Sequence, residues 1–141
     1  MRFFIHGTPK AQARPRFARR GKSVRTYSPI NEWKEVVKYR ILIMQGEDYF
    51  SDAVEVNLYF QFHRPNSHYR TGKYKDLLKD SAPEWHTKKP DKDNLEKAVT
   101  DALVDGGLLS DDSIIVRGMT SKSYVTKEED SGCWVEIKEL G

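Results

Sequence analysis

The chain has 141 residues, 38% of them hydrophobic, a single cysteine and a formal net charge of +3. That length and apolar content supply one core and leave no expectation of a second domain. No apolar run is long enough to span a bilayer, and Phe3-Phe4-Ile5, interrupted by His6-Gly7-Thr8-Pro9, is too short for a signal peptide. Cys133 alone excludes an intrachain disulfide and a cysteine-built zinc cluster, a usage that fits a reducing cytosol.

In chain order, a short strand is expected from Arg2 to Ile5, followed by a proline-punctuated basic arm over residues 10–27. Ser28-Pro29 is a good helix start, with serine as N-cap and proline at the first helical position. Trp33, Val36, Val37, Ile41 and Met44 then recur at helical spacing and predict an inward face. Val54, Val56, Leu58, Phe60 and Phe62 alternate with Glu55, Asn57, Tyr59 and Gln61, the pattern of a half-buried strand. A long polar stretch, residues 63–89, carries Pro65, Gly72 and Pro83 as breakers; a loop of that length is expected to be functional or mobile. Its rings Tyr69, Tyr74 and Trp85 are placed to stack on nucleic-acid bases.

A second helix is expected next, with Leu95, Ala98, Val99, Ala102 and Leu103 as its buried stripe and Gly106-Gly107 as its stop. Strand segments follow at Ile114 to Val116 and Ser121 to Val125, broken near Gly118. Cys133, Val135 and Ile137 alternate with Trp134, Glu136 and Lys138 in a last strand. This order predicts a single α+β domain: a small mixed sheet with two main helices packed on one face.

Charge is distributed unevenly along this frame. Lys10, Arg14, Arg16, Arg19, Arg20, Lys22 and Arg25 fall in a stretch without an acid. Arg64, Arg70, Lys73, Lys75, Lys79, Lys88 and Lys89 dominate the long loop, whereas Asp91 to Asp112 holds seven acids and two bases. Basic flanks attract a phosphate backbone and release its counterions. Carboxylates between them are repelled by phosphate and need a cation to mediate contact. Solvated basic loops and ordinary helix-end acids are the bland alternative for each run taken singly.

The acidic centre begins with Asp91-Lys92-Asp93-Asn94. Two carboxylates one residue apart on an extended segment point to one side. Hard oxygen donors of this kind suit Mg²⁺, which takes one or two carboxylates plus waters and substrate phosphates. With Asp93 or Asn94 as N-cap, Asp91 and Asp93 lie at the positive end of the helix dipole and Lys97 leans back toward them. Such an ammonium can hold a phosphate or stabilise developing charge. The alternative makes Asp93 a cap, with Glu96 completing a capping-box variant and Lys97 in a surface pair. If the strand after Ser110-Asp111-Asp112 runs beside the segment ending near Lys89, Asp112 joins Asp91 and Asp93 while Asp111 points away; an Asp-rich turn is the competing reading. His86 is near enough in sequence to touch a phosphate, although a loop histidine is more commonly exposed.

Pro90-Asp91-x-Asp93-Asn94-Leu95-x-Lys97-Ala98-x-x-Asp101-Ala102-Leu103, followed by Asp111-Asp112-Ser113, resembles the signature of the RusA endodeoxyribonucleases, Holliday junction resolvases of phages and prophages. The likeness is tight over residues 90–115. It is looser at Gly7-Thr8-Pro9-Lys10 and Arg14-Pro15-Arg16-Phe17. The resemblance implies that Asp91, Asp93 and Asp112 are metal-binding catalytic carboxylates and Lys97 the catalytic lysine. It further implies a homodimer in the bacterial host cytosol that uses Mg²⁺, with Mn²⁺ as a substitute, to make paired nicks in a four-way DNA junction. Lys10, Arg14, Arg16, Arg19, Arg20, His86, Lys88 and Lys89 are then the expected DNA contacts. The stretch from Pro65 to Lys89 is longer than in the best-known member, and Ile114 stands where glutamine is frequent.

Other chemistries fit less well. An EF-hand loop from Asp91 would meet Leu95 and Glu96 where it needs an oxygen ligand and glycine, and Ala102 where it needs glutamate. His63 and His68 lack companion cysteines for zinc. A non-catalytic junction-binding protein whose aspartates serve as caps, and a nuclease preferring flaps or forks, remain the rivals.

Overall fold

The computed structural model describes residues 1–11, 16–20, 23–27, 32–44 and 48–141, the two arm segments by their backbone. The strands are β1 (Arg2–His6), β2 (Arg16–Arg20), β3 (Ser23–Tyr27), β4 (Val54–His63), β5 (Ile115–Arg117), β6 (Thr120–Val125) and β7 (Gly132–Glu139). The helices are α1 (Glu32–Met44) and α2 (Lys92–Asp105). Five strands form one mixed sheet in which β7 separates β1 from β4, and β4 pairs in parallel with both β5 and β6. The α+β expectation is therefore met.

The alternation in β4 does what half-burial requires: Val54, Val56, Leu58, Phe60 and Phe62 are buried together with Ile5, Cys133, Val135 and Ile137. They share one core with Trp33, Val37 and Ile41 of α1 and the full predicted stripe of α2. Val36, expected on the inward face of α1, is instead 43% exposed. It lies one position off the Trp33, Val37, Ile41 ridge, and a 3.6-residue period rotates it away from the sheet. The helix start expected at Ser28-Pro29 lies outside the described residues. So does part of the arm, but the segments on either side of residues 21–22 form an antiparallel hairpin rather than irregular chain.

β5 and β6 lie along the same edge of β4, broken at Gly118. A Cβ on Gly118 would stand 1.8 Å from the carbonyl oxygen of Val56, so only glycine lets the chain pass this close to β4. The break is stitched by Asn57, whose Oδ1 accepts from the Met119 amide at 2.9 Å while its Nδ2 donates to Glu55 and Glu136. Buried polar groups persist when they are hydrogen-bonded, and Asn57 meets that condition with both ends of its amide.

The 63–89 stretch is structured. His68 and Lys79, then Arg70 and Leu77, are joined by backbone bonds of 2.9 and 2.8 Å, closing a small loop of its own. Its last part docks on the sheet edge, where Trp85 bridges Ser123 in antiparallel sense. Among the described residues no helix is long and apolar enough to cross a membrane.

Candidate functional site

α2 begins earlier than its cap chemistry suggests. The N-cap is Asp91, in extended conformation with its carbonyl accepting from Leu95 N–H at 3.1 Å, and its side chain makes no cap hydrogen bond. Asp93 thus sits in the first helical turn, where Oδ1 accepts from the Asn94 amide at 3.0 Å. The expected cap at Asp93 or Asn94 is corrected: the helix starts at Lys92, so the capping place falls to Asp91. Both carboxylates are exposed at the helix end that favours negative charge.

Lys97 is exposed, and its Nζ lies 3.7 Å from Asp101 one turn on, the surface pairing that its i,i+4 spacing allows. Asp111 caps a short 3-10 turn, Asp112–Ile114, by accepting from the Ser113 amide at 3.2 Å. The Ser113 hydroxyl first, and then this amide bond, hold its pKa below the ordinary value. Asp112, free of this capping bond, is exposed. The turn is held at the base of β4 by Phe50, which exchanges 2.9 Å bonds with Leu108 and Ser110, and it packs beside α2.

The strand after Asp112 does not run directly beside the Lys89 segment. β5 neighbours the start of β4, and residues 84–86 lie along β6. Because the pairing with β6 is antiparallel, the chain from Trp85 onward travels back toward the β5 end of the same edge. Among the described residues no three His, Cys, Asp or Glu side chains form a group that could hold a metal ion. What the site does offer is a pair of exposed aspartates one residue apart, with no capping bond on Asp91. This donor set fits a hard divalent cation whose remaining positions are filled by water and a substrate phosphate, the common state of Mg²⁺ sites.

The expected DNA contacts meet different outcomes. Lys10, Lys88 and Lys89 are exposed, Lys10 with Glu32 at 3.6 Å. Arg14 lies outside the described residues, and Arg16, Arg19 and Arg20 belong to the hairpin strand β2. His86 is the correction. It is only 8% exposed, its ring stacks on Phe62 at 3.9 Å and meets Tyr124 at 5.1 Å, and its Nδ1 is buried without a hydrogen-bond partner. Tyr69, expected to be available for stacking, is likewise buried at 4% exposure beneath the Lys127 ammonium, whereas Tyr74 and Trp85 are open.

Burial, reinforced by the Lys122 charge, pushes the His86 pKa below its ordinary 6.5. Below pH 6.5 the unfolded chain therefore takes up a proton that the folded chain refuses, and stability falls as pH drops. His68 is shifted the same way, mainly by desolvation. The melting temperature is expected to decline on acidification through this range, and less steeply in His86→Phe. Superimposable pH profiles for the two proteins would remove His86 from the account.

A search of the curated proteins gives no match to this chain. The family model described as endodeoxyribonuclease RusA matches residues 6–138, nearly the whole chain.

Proposed function

Because the chain belongs to the RusA endodeoxyribonuclease family, we propose that it is a Mg²⁺-dependent, structure-selective endodeoxyribonuclease that resolves four-way DNA junctions by paired symmetric nicks. The observation that carries this reading is the pair Asp91 and Asp93, exposed at the positive end of α2 with the Asp91 carboxylate unused by the cap. An aspartate serving only as a cap would spend its oxygens on the first-turn amides.

Asp91 and Asp93 would hold the cation, with Mn²⁺ as a substitute, and Asp112, on the turn that packs beside α2, would complete the set once a bound ion draws the three carboxylates together. A divalent ion bound there supplies an acidified water and offsets phosphate charge. Lys97 is one turn along α2 from Asp93, and its exposed pairing with Asp101 is weak enough to yield to a phosphate. Lys10, Lys88, Lys89 and the arginines of the arm would bind the backbone, which positions DNA without reading its sequence. Two cuts on opposite strands call for two sites, which a two-fold homodimer provides. The setting is the bacterial cytosol, in recombination and repair or in the debranching of phage DNA.

The deciding experiment incubates purified protein with labelled four-way, Y-shaped and linear DNA in Mg²⁺ or EDTA. Paired nicks in the four-way junction, dependent on Mg²⁺, are expected; faster cutting of the Y-shaped substrate would assign it to flaps or forks. A non-catalytic junction-binding protein is favoured by one observation, the lack of a three-acid group among the described residues. Junction binding that survives EDTA, without nicks in Mg²⁺ or Mn²⁺, would establish that alternative.

Replacing Arg14 and Arg16 by alanine should weaken junction binding and flatten its salt dependence by about 0.9 in the log–log slope for each phosphate no longer neutralised. Binding isotherms across a salt series measure this. An unchanged slope would show that the arm does not touch DNA.

A further inference from the structure

The segment that delivers Asp91 to the site is fastened by one side chain of a neighbouring strand. Lys122, in the middle of β6, directs its ammonium at two main-chain oxygens, those of Lys88 and Pro90, each at 2.7 Å. Its own carbonyl accepts from the His86 amide at 3.1 Å, and the Tyr124 amide donates to Glu84 at 2.9 Å. Residues 84–90 are thus laced to β6 from end to end. Backbone bonds hold the part farthest from Asp91, and a lysine side chain holds the part nearest to it.

The two bonded carbonyls flank the Lys89-Pro90 unit, so together they fix both the place and the direction in which the chain enters Asp91. Asp91 has no capping bond to orient its own side chain. Its placement therefore comes from the main chain on either side: the Leu95 amide on its carbonyl behind, and the Lys122 clamp ahead. Bonds from a charged donor are shorter and stronger than neutral ones, which suits a clamp on an exposed segment.

We propose that Lys122 is a positioning residue of the nuclease site, fixing Asp91 by binding the carbonyls of Lys88 and Pro90; this rests on Asp91 being a metal-binding carboxylate, as proposed above. Groups one step removed from a metal typically govern affinity by about 10–100-fold. Lys122→Met keeps the packed stem and removes the donors, whereas Lys122→Arg restores a cation able to reach two oxygens.

The test titrates Mn²⁺ into wild type, Lys122→Met, Lys122→Arg and Asp91→Asn, each bound to a four-way junction, and follows free Mn²⁺ by electron paramagnetic resonance. Cutting is measured in parallel across Mg²⁺ concentrations, well below each protein's melting temperature. Lys122→Met should lose about ten-fold in Mn²⁺ affinity and need correspondingly more Mg²⁺, with Lys122→Arg recovering most of both. If Lys122→Met does not fold, Lys122→Gln, whose neutral amide ends one bond short of the ammonium and cannot keep both 2.7 Å bonds, takes its place with the same expectation. Wild-type Mn²⁺ affinity and Mg²⁺ dependence in the methionine or glutamine variant would overturn the assignment. So would a loss that follows melting temperature alone and is not recovered by arginine. Full Mn²⁺ binding by Asp91→Asn would instead strike the site reading itself, and the role of Lys122 would fall with it.

Discussion

Asp93→Asn is expected to slow junction cutting by roughly three orders of magnitude, about 4 kcal/mol in the barrier, while junction binding stays intact or tightens. The substitution is nearly isosteric, and the amide oxygen of asparagine can still accept from the Asn94 amide now bonded to Asp93 Oδ1. The start of α2 should therefore survive, with stability within about 0.5 kcal/mol of wild type. What disappears is one formal negative charge at the place where a cation would be held and where phosphate would approach. Loss of the cation site lowers the rate, and loss of repulsion favours the DNA. Cutting rates in Mg²⁺, with gel-shift titrations and thermal melts on the same preparations, separate these effects. Near-normal cutting by Asp93→Asn would remove Asp93 from the active site.

The second large effect is on the fold. Gly118→Ala would bring a methyl carbon to 1.8 Å from the Val56 carbonyl oxygen and 2.8 Å from its carbon, and both belong to the central strand β4. Relief requires moving the β5–β6 break, which is held by Asn57 and by a 2.8 Å bond from Leu58 N–H to the Met119 carbonyl. Overpacking against backbone is costly because no rotamer change can absorb it, and about 3 kcal/mol is expected. For a chain of this size that corresponds to a melting temperature lower by roughly 10 °C. Gly72→Ala makes a useful contrast: its φ is +66° but nothing lies within 4 Å of the added carbon, so a loss of only about 1 kcal/mol is expected. A Gly118→Ala protein that melts with wild type would mean that β5 does not pass β4 at this distance.

The elements legible from sequence are those whose burial is written in their own periodicity. β4, β7 and the α2 stripe of Leu95, Ala98, Val99, Ala102 and Leu103 repeat at the spacing that their geometry demands, and each is buried as expected. The break at Gly118 is equally readable, since glycine inside a strand pattern marks close approach. The β2–β3 hairpin is hidden because Arg16–Arg20 offers charge rather than apolar alternation. His86 and Tyr69 defy expectation because their cover comes from elsewhere in the chain: Phe62 and Tyr124 around one, Lys127 over the other.

At the site, the acids and Lys97 stand out in the sequence as residue types, but their arrangement does not. The cap falls to Asp91 because the path of the chain before the helix decides it, and that path depends on Lys122, in a strand that follows the helix. Nothing in the spacing of Lys122 marks it: a single lysine in a partly polar edge strand looks like a solvated surface residue. The pairing of residues 84–86 with β6 is a tertiary fact that no local pattern announces.

β7 lies between β1 and β4, two strands that never touch each other in the sheet. On the ribosome, β1 must wait without its sheet neighbour until Gly132–Glu139 has been synthesised and slotted in. Chains cut short before that point would carry every acid of the proposed site yet lack the strand that joins the two halves of the sheet. Such fragments are expected to be inert and prone to degradation, so that only products that include β7 could cut DNA.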